Sequence, residues 1–284
     1  MATLDQALAF KAFEIEELAD VWFFRPLGAL IARVAQFLGL GPNQVSIAGG
    51  LLGVIAGSLL FFENLGLLAF ALLILHGIID SADGQLARIT GQVTGLGEVL
   101  DSLSGHVTHA AIYLAIMAKI LTHAGGYNII FWGVLAGMAN FAHAQLYVYY
   151  RTAYAQIVIE GIVPGAKPLA LHARWAVWLL HIYRTIQRRL IGAHAEVETV
   201  LTARASNGSV RDDDRAKYRE YFYWPVRGWN FLGDNTRFYA IGFLALIHHI
   251  DWFFAFILLP MNVALVALWI WQREADRRFL SHPS

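Results

Sequence analysis

The chain has 284 residues, 57% of them apolar and only 15% charged, and its mean hydropathy is +0.51. Soluble domains lie nearer half apolar and a quarter charged, so this composition makes lipid part of the solvent. Twenty-one basic residues balance 21 acidic ones, which leaves no bulk attraction to nucleic acid, and the lack of cysteine excludes disulfides, thiolate metal sites and cysteine nucleophiles.

Residues 1–40 read as an interfacial, juxtamembrane segment. The opening MATLDQALAFKAFEIEELAD has no basic stretch ahead of an apolar run, so it does not read as a cleaved signal peptide. VWFFRPLGALIARVAQFLGL sets aromatic and aliphatic residues beside two arginines, which suits an amphipathic helix on the cytoplasmic membrane face. A spanning helix needs about 20 largely apolar residues. Segments at 45–62, 66–88, 97–121 and 128–150 meet that description within a catalytic half, 41–164. Segments at 236–250 and 252–271 follow within 236–284, joined by the turn residues His248, His249 and Asp251. Between the two sets, 165–235 reads as a cytoplasmic amphipathic insertion, with a basic surface helix carrying Arg184, Arg188 and Arg189. The fold class expected is therefore all-α integral membrane: a six-transmembrane-helix bundle with an N-terminal interfacial amphipathic helix.

Basic residues sort with this count. Lys11, Arg25, Arg33, Arg88, Arg151 and Arg273 all fall on one side if six spans alternate, and Lys119 alone falls on the other. The positive-inside rule then puts both termini and the insertion in the cytoplasm. Tyr147, Tyr149 and Tyr150 at the end of the fourth span read as an interfacial aromatic belt. Gly49, Gly53 and Gly57 recur every four residues on the first span, a small-residue stripe for close helix packing.

Carboxylates inside a membrane are costly and mark function. The second span ends Asp80-Ser-Ala-Asp83-Gly84-Gln-Leu-Ala87-Arg88, and the third begins Gly97-Glu-Val-Leu-Asp101. At about 100° per residue, Asp80, Asp83, Gly84 and Ala87 share one helix face, with His76 a turn deeper. Asp101 joins them if the two helices are antiparallel neighbours, as the short connection implies. An all-oxygen ligand set suits Mg²⁺ or Mn²⁺. Gly84 and Ala87 leave room for a base or phosphate, and Arg88 can grip a phosphate with two parallel hydrogen bonds. Together these are the parts of a phosphoryl-transfer site.

At these residues the chain resembles the CDP-alcohol phosphotransferase (CDP-alcohol phosphatidyltransferase) family, whose signature is D-x2-D-G-x2-A-R, about eight residues, then G-x3-D-x3-D. Asp80, Asp83, Gly84, Ala87, Arg88, Gly97 and Asp101 fill its first seven positions. Upstream, Pro42-Asn43-Gln44-Val45-Ser46 is similar to the family's approach to its first span, which brings Asn43 and Ser46 into the candidate nucleotide site. The resemblance implies a divalent metal on Asp80, Asp83 and Asp101 and a CDP-linked donor such as CDP-diacylglycerol. It also implies a lipid or polar alcohol acceptor, release of CMP, phospholipid synthesis, a homodimer and a cytoplasm-facing site, with a bacterial inner membrane as the expected setting.

The signature's last aspartate is missing: position 105 is Gly105. In the family that aspartate helps hold a second metal and is the candidate base. Its work would pass to His109, His76 or His106, since imidazole titrates near neutrality. Alternatively, the substrate differs so that no strong base is needed. The other reading is a non-catalytic family member that binds nucleotide or lipid.

Overall fold

The computed structural model describes residues 13–123, 125–164 and 191–281. The regular structure among them is helical: α1 (Arg25–Phe37), α2 (Pro42–Leu59), α3 (Gly66–Thr90), α4 (Gly95–His123), α5 (Asn128–Tyr154), α6 (His194–Arg204), α7 (Asp212–Trp229), α8 (Asp234–Leu246), α9 (Phe253–Leu258) and α10 (Pro260–Ser281). The predicted surface helix with Arg184, Arg188 and Arg189 lies outside the described residues.

Among the described residues, three stretches are long and apolar enough to cross a membrane: Glu63–Thr90, Asn128–Glu160 and Ile250–Ser281. They correspond to the expected second, fourth and sixth spans. The expected first span is the helix α2, whose 18 residues include the polar start Pro42-Asn43-Gln44. The expected fifth span is α8, whose 13 residues extend only about 20 Å against a hydrocarbon core of about 30 Å. A turn with His248 at positive φ separates α8 from α9, as the HHID sequence predicts.

The helices divide into two compact units. The first comprises 17–139 and 234–260. Here α2 is the packing centre, lying against both α3 and α4, while α1 and α8 lie on α3. Small residues make this close approach workable. A Cβ on Gly57 would stand 2.8 Å from the Ile112 backbone nitrogen, one on Gly50 would press on Ser104, and one on Gly53 would run into Thr108. The rising pairs 50–104, 53–108 and 57–112 set α2 parallel to α4. Gly49 instead meets Ile79 of α3. The predicted glycine stripe is thus consumed within the chain, and it supplies no surface for a second copy. On α1 the small side chains of Ala29, Ala32 and Ala35 are buried, while Leu30, Val34 and Phe37 are exposed. This leaves the large apolar groups of α1 outward, the arrangement expected of a helix at a lipid surface.

The second unit comprises 13–16, 140–233 and 261–281 among the described residues. Its centre is aromatic and polar: Tyr150 stacks on Trp229 at 4.7 Å, and His194 lies fully buried among Tyr218, Phe222 and Asp276. The belt expected at Tyr147, Tyr149 and Tyr150 is corrected at Tyr150. Tyr150 is 1% exposed and packed in this centre, Tyr149 donates to Glu198, and Arg151 pairs with Glu16 at 2.8 Å.

Candidate active site

Local sequence sets the two helix ends that build the site. Gly91, in the left-handed conformation at φ 68°, ends α3 by donating to the Ala87 and Arg88 carbonyls, a turn that glycine adopts without steric cost. Thr94 then accepts the Gly97 N–H on its hydroxyl at 3.0 Å, starting α4 with a side-chain cap. A Cβ on Gly97 would stand 3.3 Å from both Asn43 Oδ1 and Thr94 Oγ1, so the first turn of α4 is seated against the start of α2. There Pro42 occupies the first turn and the Gly41 N–H donates to Gln44 Oε1 at 2.8 Å.

This hairpin brings Asp80, Asp83 and Asp101 together: each offers one carboxylate oxygen, and the three oxygens lie within 4.8 Å of one another. Asp83 is buried, Asp80 is half-buried and Asp101 is exposed, so the cluster runs from the packed interior to an open side. Buried Ser46 donates to the Pro42 carbonyl at 3.2 Å and its side chain reaches Asp83. Oδ2 of Asp83 is buried with no hydrogen-bond partner among the described residues. An orphaned carboxylate oxygen of this kind is costly unless something binds it. Oxygen donors at this separation fit a hard divalent cation. Gly84 lies on the same stretch, with Arg88 Nη1 3.5 Å from where its Cβ would be, so the arginine flanks the cleared floor.

The three histidines have different surroundings. His76 donates from Nδ1 to the Gly49 carbonyl at 2.9 Å and meets the Phe238 ring edge-on, which ties α3 to α2. His106 is exposed. His109 donates from Nδ1 to the Gly105 carbonyl at 2.9 Å and stacks on Phe238, and its Nε2 stands 3.4 Å from Asp234 Oδ1. At Gly105 itself a Cβ would meet nothing within 4 Å.

Asp234 was not among the residues singled out from the sequence. The helix α8 runs antiparallel to α3: Ala245 meets Gly66, Gly242 meets Phe70, and Phe238 meets His76. The same register carries Asp234 to the depth of Asp80, and the charges of the two carboxylates act on one another. Arg237, 1% exposed, donates from Nη1 to Asp234 Oδ1 at 2.9 Å. The available signal was the pair Asp234 and Arg237, three residues apart at the start of an apolar helix.

A family model for CDP-alcohol phosphatidyltransferases matches residues 40–201. The chain belongs to this family, which is generally dependent on a divalent metal, and it is a membrane protein. It is similar to an archaetidylinositol phosphate synthase of Pyrococcus horikoshii, 25% identical over 174 residues, covering 57% of this chain and 92% of that protein. It is also similar to an uncharacterized protein of Aquifex aeolicus, 34% identical over 90 residues, 31% of this chain and 45% of that one.

Proposed function

We propose that the protein transfers a phosphatidyl-type group from a CDP-linked lipid such as CDP-diacylglycerol to the hydroxyl of a polar acceptor, releasing CMP. The observation that carries this is the trio Asp80, Asp83 and Asp101, with three carboxylate oxygens within 4.8 Å of one another beside Gly84 and Arg88. Asp80, Asp83 and Asp101 hold Mg²⁺ or Mn²⁺, which when bound neutralises the pyrophosphate charge of the donor. Gly84 and Ala87 receive the cytidine nucleotide, Arg88 holds a phosphate, and Asn43 and Ser46 close the nucleotide side. Family membership supports a CDP-alcohol donor. The name of the Pyrococcus relative favours a lipid-linked donor and an acceptor of the inositol phosphate kind. In this reading the chain has six spans, the termini and site face the cytoplasm, and the chain works as a homodimer, on the family's pattern.

A second reading, a non-catalytic nucleotide-binding member, is favoured by one observation, the glycine at 105. The experiment that separates them is release of labelled CMP from CDP-diacylglycerol by purified protein with Mn²⁺. The acceptors are inositol phosphate, glycerol phosphate and free inositol. Release that depends on an acceptor and stops on chelation of the metal supports transfer. CDP binding with no release for any acceptor supports the second reading.

A further inference from the structure

The glycine at 105 removes from α4 the carboxylate that the family offers as the candidate base. We infer that Asp234, entering from α8, is the catalytic carboxylate that takes this proton. The inference rests on the transfer reading above.

Four observations converge on Asp234. The antiparallel register of α8 on α3 puts it at the depth of Asp80. It is tied to the vacated position: the Gly105 carbonyl accepts from His109 Nδ1, and the same ring turns Nε2 to Asp234. Its two side-chain contacts, His109 Nε2 at 3.4 Å and Arg237 Nη1 at 2.9 Å, both fall on Oδ1, which leaves Oδ2 for an incoming group. Finally, the Asp234 side chain is 56% exposed, whereas His109 is 15% exposed and its Nε2 is buried.

The tautomer decides against His109 as the base. Its Nδ1 must carry hydrogen to donate to a carbonyl, and an unprotonated Nε2 would set a lone pair against a carboxylate. The imidazole is therefore suited to donate at both nitrogens, and it acts as a positioning residue. Arg237 does the same from within the helix. Its Nε and Nη2 are buried without hydrogen-bond partners, a donor surplus that further favours an anion on this side of the site.

The step balances simply. The acceptor oxygen forms a bond to the donor phosphorus, and the P–O bond to CMP breaks with its electron pair leaving on CMP. The hydroxyl proton passes to Asp234 Oδ2 and from there to water.

The test uses the full-length protein in mixed micelles with CDP-diacylglycerol, Mn²⁺ and the acceptors named above. Binding of CDP and of Mn²⁺, the latter by electron paramagnetic resonance, is read separately from CMP release. Asp234→Asn is expected to lower kcat about 100-fold, the usual worth of a positioned base, with Mn²⁺ and CDP affinities held within about threefold. The double variant Asp234→Asn with Gly105→Asp is expected to recover at least about tenfold of that loss, because position 105 has open space for the side chain. Should the Asn variant lose CDP binding through misfolding, Asp234→Ala with added formate decides: formate restores CMP release if a carboxylate is what is missing, and its failure overturns the inference. Turnover of Asp234→Asn at the native rate overturns it, as does a loss of Mn²⁺ affinity in step with rate, which would make Asp234 a metal ligand. A native chain that releases no CMP overturns the transfer reading itself, an outcome distinct from release that Asp234→Asn leaves undiminished.

Discussion

On the proposed reading Arg88 and Asp83, on the same helix, do different work, and conservative substitutions should separate them. Arg88→Lys keeps the charge but loses the planar fork, so CDP affinity should fall about tenfold, or about 1.4 kcal/mol, with Mn²⁺ affinity unchanged by titration calorimetry. Asp83→Asn keeps the shape but removes the buried anion whose Oδ2 is unpartnered. Here Mn²⁺ affinity should fall first and CDP binding only through the metal. The acids of α3 and α4 were legible in the sequence because a three-residue spacing fixes a shared helix face and a short connection fixes which helices meet. Asp234 was not, because its one local signal, the pairing with Arg237 three residues on, is shared by any ordinary helix start. Its meaning comes from the antiparallel pairing of α8 with α3, a relation between segments far apart in the chain. His76 shows the converse. Its place on the acidic face was readable, but its bond to the Gly49 carbonyl depends on how closely glycine lets α2 approach.

Glycine-to-alanine changes on these helices should have opposite signs. At Gly53 the added methyl would collide with Thr108 across the interface of α2 and α4, and overpacking of this kind costs about 1–3 kcal/mol. At Gly105 the methyl meets nothing within 4 Å, and replacing a mid-helix glycine gains about 0.5–1 kcal/mol. Thermal unfolding in one detergent should therefore show Gly53→Ala below the native Tm and Gly105→Ala above it. Helix positions were legible from apolar run length in α2 to α5, but not in α6 and α7, whose sequences HAEVETVLTAR and DDDRAKYRE carry no apolar run. The count of spans was less so, because run length alone does not fix helix length: the fifth expected span falls on α8, a helix of 13 residues.

At the scale of the molecule, polar packing distinguishes the second unit. Trp229 donates to Gln272, Gln272 donates to Asp276, and His194 links Asp276 at 2.7 Å to Tyr218 at 3.0 Å. Burial, with Glu198 and Asp276 nearby, pushes the Tyr218 hydroxyl well above its ordinary range. Tyr218 therefore stays a donor to His194 Nε2, and His194 donates from Nδ1 to the carboxylate. Removing the imidazole would leave the Asp276 carboxylate buried without this donor, which costs more than the roughly 1–3 kcal/mol of a neutral unsatisfied group. His194→Ala should accordingly lower thermal stability strongly, while Tyr218→Phe, which removes one hydrogen bond, should cost about 1–3 kcal/mol. Denaturation of the purified variants checks both.

The seating of Gly97 against Asn43 and Thr94 also bears on how this chain can change over evolutionary time. Because that contact pins the first turn of α4, a residue gained or lost between Gly97 and Asp101 would swing the third acid about 100° around its helix. No compensating shift is open to a turn already fixed at its base. Among homologues, insertions and deletions should therefore be absent from this three-residue interval even where the surrounding identities have drifted.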